Sequence, residues 1–218
     1  MAQTNHRKIE DDLLDAQTAI TNAINDGMVA SALSNYGFDG EIMAEGKALY
    51  EEAYSLHKKQ VAEYGEKYEA TRKLHEALEK AASIYSKTFR IARQALKNNE
   101  DARNTLYLSN GRKKSISGQI EQAQVFYSNL ISHPEMVQAM NRFAYDRERL
   151  ETEKAIADDA AKAYAQRDLE KSQAQHATRQ RDKKLDELGD WMDEFMVVAE
   201  VALEDEPQLL EMLGEVKS

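Results

Sequence analysis

The chain has 218 residues, a formal net charge of −10 and no cysteine, which excludes disulfide bonds, thiolate metal sites and thiol catalysis. It contains only two prolines and nine glycines, a composition typical of long helices with short connections. The longest uncharged stretches fall short of the roughly 20 apolar residues that a membrane-spanning helix needs. Residues 1–12 lack the apolar core of a signal peptide. We therefore expect a protein of the cytoplasm that does not associate with membranes.

The sequence resembles itself at an offset of 107 residues. Residues 16–106 align with 123–213 without a gap, and 19 of the 91 aligned positions are identical, against roughly six expected from composition. The run Ala70-Thr71-Arg72, for example, aligns with Ala177-Thr178-Arg179. This similarity predicts two tandem copies of one structural segment.

Each half begins with a helix, a break and a short second helix. The first predicted helix covers 7–24, where apolar residues recur every three or four positions. It ends at Asn25-Asp26-Gly27, and we expect Asn25 to cap the helix that follows. In the second half, Ser132 is the expected cap, because proline and glutamate follow it at positions suited to a first helical turn.

One long helix then follows in each half. After the expected cap residue Asp39, apolar residues keep the same spacing without a slip, which predicts a helix of about 58 residues. The second half has a similar pattern over 146–203, although its middle section is rich in alanine and glutamine. The sequence leaves open whether the two helices are continuous through Gly65 and Ser172.

These elements predict an all-α fold: an elongated antiparallel helical bundle, built from two tandem copies of a long helical hairpin. A glycine-containing basic stretch separates the copies. The chain is therefore divided into helical repeat 1 at 1–109, a linker at 110–116 and helical repeat 2 at 117–218. We expect both repeats to pack into one domain.

The histidines do not follow a metal-binding pattern. A di-iron helical bundle needs Glu-x-x-His on two helices, but no histidine follows a glutamate at that spacing. The sequence also lacks the phosphate-binding glycine loops and the Gly-x-Ser-x-Gly motif. It therefore predicts no catalytic residue, no metal site and no cofactor.

A basic run extends over 90–114, and it includes Arg90, Arg93, Lys97, Arg103, Arg112, Lys113 and Lys114. The run is short, and the whole chain is acidic with a pI of about 5.1. Both observations disfavour nucleic-acid binding.

Residues 188–203 form the most apolar segment, with apolar side chains on more than one stripe of the predicted helix. One interpretation is a helix buried on two sides in its own bundle. The other is a surface for a partner or a dimer, with Trp191, Phe195 and Met196 as the candidate contacts.

The favoured functional hypothesis is a non-enzymatic protein-interaction or scaffold module. Its partner would be an unidentified protein or a second copy of the chain. The alternative is a small-molecule-binding or enzymatic bundle with its site in the core between the repeats. That site would use polar groups from Tyr64, Tyr68, Tyr85, His57 or His75.

Overall fold

The computed structural model describes residues 2–214 and, within them, the side chains of 9–214. This part of the chain forms eight α-helices and no strand, which confirms the all-α class. The helices are α1 (Ala2–Asn25), α2 (Gly27–Ser34), α3 (Gly40–Ala95), α4 (Glu100–Thr105), α5 (Ile116–Ser132), α6 (Pro134–Asn141), α7 (Arg147–Ala202) and α8 (Pro207–Glu211).

The helix bounds agree at the offset found in the sequence. Helices α2 and α6 begin and end 107 residues apart, and so do the long helices α3 and α7. Each long helix has 56 residues, close to the expected length. Both are continuous through Gly65 and Ser172, the point that the sequence left open.

The described residues form two compact units. Unit 1 contains residues 2–63 and 174–214, and unit 2 contains residues 64–173. Each unit therefore combines part of one sequence repeat with part of the other. The division into helical repeats at 1–109 and 117–218, joined by a linker at 110–116, stays a prediction.

The core of unit 1 forms where α1 and α2 pack with the first part of α3, the last part of α7 and α8. Helix α1 buries Leu13, Ala16, Ile20 and Ala23, which recur every three or four positions along one face. Helix α7 runs antiparallel to α3 here: Arg181 donates a hydrogen bond to Gln60 at 3.0 Å, and Lys184 pairs with Glu52 at 2.9 Å.

The core of unit 2 forms where α4, α5 and α6 pack with the last part of α3 and the first part of α7. It is more aromatic. Tyr85 and Phe126 contact each other and both Phe89 and Tyr127, and several of these ring pairs are edge-on.

Two of the expected helix caps were wrong and one was correct. Asp26 caps α2, because its carboxylate accepts hydrogen bonds from the backbone N–H groups of Met28 and Val29. Asn25 is the last residue of α1 instead.

Helix α6 has His133 at its N-cap, and the His133 side chain makes no capping hydrogen bond. The Ser132 hydroxyl donates a hydrogen bond to the Asn129 carbonyl of α5 instead. Asp39 caps α3 as expected.

The turns that precede the long helices have a left-handed residue at matching positions. Gly37 has φ 89°, and Ala144, 107 residues later, has φ 62°. In this left-handed backbone conformation, the Cβ atom of an alanine has a steric cost that glycine does not have.

Candidate functional site: an apolar groove in unit 1

The apolar segment 188–203 lies mainly in the core of unit 1. Phe195 is fully buried, and its ring stacks on Trp191 with centroids 5.3 Å apart. Trp191 and Met196 are partly buried against the same core. This placement agrees with the interpretation that the segment is buried in its own bundle. A contact role for Trp191, Phe195 and Met196 stays a prediction that their burial does not support.

The outward face of the same segment presents different residues. Val197 is 64% exposed and Val201, one turn later, is 51% exposed. Acidic residues flank them in the sequence. We call these two valines the α7 face.

A groove of about 650 Å³ lies between α1 and α3 in unit 1. Residues 10–17 of α1 form one wall, and residues 50–62 of α3 form the other. The lining residues are Glu10, Leu13, Leu14, Gln17, Tyr50, Tyr54, His57, Lys58, Val61 and Ala62. Leu13 and His57 are buried, so they form its floor.

Three large apolar side chains on the walls of this groove remain in contact with solvent. Leu14 is 59% exposed, Tyr54 is 45% exposed and Val61 is 48% exposed. The Tyr54 ring is held between neighbours on its own helix, with Tyr50 stacked at 6.0 Å and the Lys58 ammonium 5.5 Å from its centroid. A concave apolar surface with a pre-positioned ring has the form of a binding site.

Lys58 is the lysine on the α3 wall of the groove, and the tyrosines of that wall carry no charge. Burial raises the pKa of Tyr50, and the neighbouring Tyr54 and Glu51 raise it further. The Tyr50 hydroxyl is therefore uncharged at neutral pH. Its role in the groove is limited to packing and hydrogen bonding.

The apolar character of the groove is particular to unit 1. The residues 107 positions after Leu14, Tyr54 and Val61 are Glu121, Ala161 and Asp168. Glu121 and Asp168 are exposed in unit 2. Since the helices of unit 2 contain charged residues 107 positions later, helix formation at these sites does not require Leu14 or Val61 to be apolar.

The two units also differ strongly in charge. Among the described residues, unit 1 has 22 acidic and 9 basic residues, a net charge of −13. Unit 2 has 16 acidic and 19 basic residues, a net charge of +3. A ligand that reaches the groove therefore approaches a strongly acidic unit.

Unit 2 contains a buried polar cluster centred on Glu153. Its carboxylate accepts hydrogen bonds from the Thr88 hydroxyl, from Tyr127 Oη at 3.1 Å and from Arg149 Nε at 3.0 Å. Burial raises the pKa of Tyr127, so this phenol remains a proton donor. The Arg149 guanidinium also covers the Tyr145 ring at 3.6 Å. Since three donors satisfy this buried carboxylate, we interpret the cluster as structural.

The residues proposed for a small-molecule site do not converge. Tyr85 is buried, whereas Tyr68 and His75 are exposed. Tyr68 and Tyr85 are separated by 17 residues of one continuous helix, a distance of about 25 Å. Tyr64 lies beside Tyr68, and His57 lies in the floor of the unit 1 groove.

Part of the basic run has structural contacts within unit 2. Arg93 Nε donates to the Leu108 carbonyl at 2.6 Å, and its guanidinium lies 4.9 Å from the Phe89 ring. Arg112 donates to Gln119 at 3.0 Å. These contacts give the two arginines a role in fixing the loop before α5.

The three exposed residues of the groove lie outside the apolar stripes that helical spacing predicts. Leu14 directly follows Leu13 on α1, and Tyr54 and Val61 directly follow Ala53 and Gln60 on α3. Large apolar residues outside a helix stripe are therefore the sequence signal for this groove.

No helix in the described part of the chain combines the length and apolar character needed to cross a membrane. Comparison with known proteins finds no matching family model, no matching curated protein and no matching solved structure.

Proposed function

We propose that this chain is a non-enzymatic protein-interaction or scaffold module that binds a helix of another protein in the groove of unit 1. The observation that carries the proposal is the exposure of Leu14, Tyr54 and Val61 on the walls of one concave groove. Exposed apolar side chains that are gathered in one concave groove are a feature of protein-interaction sites. A groove between two helices suits an amphipathic helix, which buries its apolar face there.

The small-molecule or enzymatic alternative has weaker support. It requires a pocket with several convergent polar groups. The polar cluster at Glu153 is its best candidate, but the carboxylate already has three donors and little contact with solvent. The proposal assigns the protein to the cytoplasm, because the absence of cysteine is compatible with a reducing compartment.

The test compares three versions of the full chain as bait in lysate of the cell that produces it. They are the wild type, a groove variant with Leu14→Glu and Val61→Asp, and an α7-face variant with Val197→Glu and Val201→Asp. Both variants add two acidic groups to unit 1 at exposed positions, and the groove substitutions follow residues found at the matching positions of unit 2. They differ in the surface that is changed.

We expect the wild type and the α7-face variant to retain the same proteins. The groove variant should retain at least about tenfold less, because it loses two apolar contacts. Equal capture by all three versions would contradict the proposal. Loss with the α7-face variant alone would assign binding to the α7 face instead.

A further inference from the structure

We infer that the groove of unit 1 selects a basic amphipathic helix of about three turns. This inference rests on the proposed protein-binding function and identifies the chemistry of the partner. The groove supplies the length and the apolar contacts, and the acidic helix α1 together with the negative charge of unit 1 supplies the preference for basic residues.

The groove sets the length of the bound segment. Its α3 wall extends from Tyr50 to Ala62, about 18 Å along the helix axis, which corresponds to roughly three helical turns. Leu14 lies on the opposite wall from Tyr54 and Val61. A helix with apolar side chains at positions i, i+3 or i+4, and i+7 can place a row of them between these walls.

The α1 wall accounts for the charge preference. Over residues 9–25, α1 has four acidic residues, Glu10, Asp11, Asp12 and Asp15, and no basic residue. All four are exposed. Of these four, Glu10 lines the groove, and the other three are exposed on α1 outside its lining. Lys58 is the charged residue that lines the α3 wall. Lysine or arginine residues on the α1 side of the ligand would therefore lie beside an acidic helix, in a unit with a net charge of −13.

The charge of unit 1 disfavours a dimer that pairs two grooves. Each copy would bring a net charge of −13 to that interface. Like charges that face each other across an interface weaken association. The groove is therefore suited to a basic partner segment.

The experiment uses three synthetic peptides of about 14 residues, a length that forms nearly four helical turns. The first has a leucine stripe with lysines at the flanking positions. The second keeps the leucine stripe but replaces every lysine with glutamate. The third has the composition of the first in an order without a stripe. Each is titrated against the full-length wild type, the groove variant and the α7-face variant, with binding measured by calorimetry.

We expect the basic amphipathic peptide to bind the wild type and the α7-face variant, and to bind the groove variant at least about tenfold more weakly. The groove variant has two additional acidic groups, so charge attraction alone predicts equal or tighter binding. A loss of affinity in the groove variant would therefore show that the peptide binds through the apolar residues of the groove. Increasing salt should weaken the wild-type interaction.

Three results would overturn the inference. Equal affinity of the acidic and basic amphipathic peptides for the groove would remove the charge preference and leave the proposed function standing. Equal binding of the basic peptide to wild type and groove variant would show that it binds elsewhere, and the capture experiment would then decide the proposed function separately. A stable dimer that only the groove variant dissociates would assign the groove to a second copy.

Discussion

The indole of Trp191 lies directly against the backbone of α3 at Gly46. A Cβ atom at Gly46 would be 2.2 Å from Cζ2 of Trp191 and 2.3 Å from Cη2. No real Cβ contact is that short, so the two helices can approach this closely only because residue 46 has no side chain. The matching position in the second repeat is Glu153, the centre of the polar cluster of unit 2.

Replacing Gly46 with alanine should destabilise the protein. The added methyl overlaps a rigid ring, and such overpacking costs about 1–3 kcal/mol, although alanine itself favours a helix by up to about 1 kcal/mol. Gly65 is the matched control, since it lies inside the same helix with no atom within 4 Å of an added Cβ. Gly65→Ala should stabilise by roughly 0.5–1 kcal/mol. Urea denaturation of both variants measures these effects, and a Gly46→Ala variant as stable as the wild type would contradict the close packing of Trp191 on α3.

The two faces of segment 188–203 should respond differently to truncation. Phe195→Ala removes a fully buried ring and should cost about 3–5 kcal/mol. Val197→Ala changes an exposed side chain and should change stability by no more than roughly 0.5 kcal/mol. Thermal unfolding followed by circular dichroism measures both. Normal stability of Phe195→Ala, combined with lost self-association, would restore the prediction that this residue contacts a partner.

The left-handed turn at Ala144 should be improved by glycine. Ala144→Gly removes the steric cost of φ 62° and should stabilise unit 2 by roughly 1 kcal/mol. The reverse change at the matching turn, Gly37→Ala, should destabilise by a similar amount, because φ is 89° and no neighbouring atom crowds the new methyl. Effects of the same sign in the two variants would show that the turns are not equivalent.

Alkaline pH should weaken the fold through its buried tyrosines. Burial raises the pKa of Tyr85 to about 12, partly offset by Arg112 and Arg93, and burial also raises the pKa of Tyr127. Because each folded pKa lies above the unfolded value of about 10, their contribution is fully present below about pH 10. It is lost progressively as pH rises through the folded pKa values.

Urea denaturation at about pH 9 and about pH 11 should therefore give a lower free energy of unfolding at the higher pH. Tyr85→Phe should reduce this decline, and an undiminished decline would show that Tyr85 does not contribute.

Apolar spacing predicted the long helices, since an uninterrupted stripe from Ile42 to Leu96 favours one regular helix, although it left open the continuity through Gly65. The residue types at the start of α3 also predicted the Asp39 cap correctly. It did not predict the cap at Asp26, because Asn25 and Asp26 are adjacent and both suit that role.

The candidate site was harder to predict for a physical reason. Spacing identifies the apolar face of a helix, but it does not show which parts of that face another helix covers. Phe195 and Val197 are two residues apart in one apolar segment, yet one is fully buried and the other is exposed. Leu14, Tyr54 and Val61 come together only because α1 packs beside α3.

Side-chain footprinting with hydroxyl radicals tests the binding claim most directly. The wild-type chain is oxidised alone and in complex with the protein that it captures, and the modified residues are identified by mass spectrometry. We expect Leu14, Tyr54 and Val61 to become protected in the complex, while Val197 and Val201 react as in the free chain. Unchanged reactivity at Leu14, Tyr54 and Val61, with the partner bound, would contradict it.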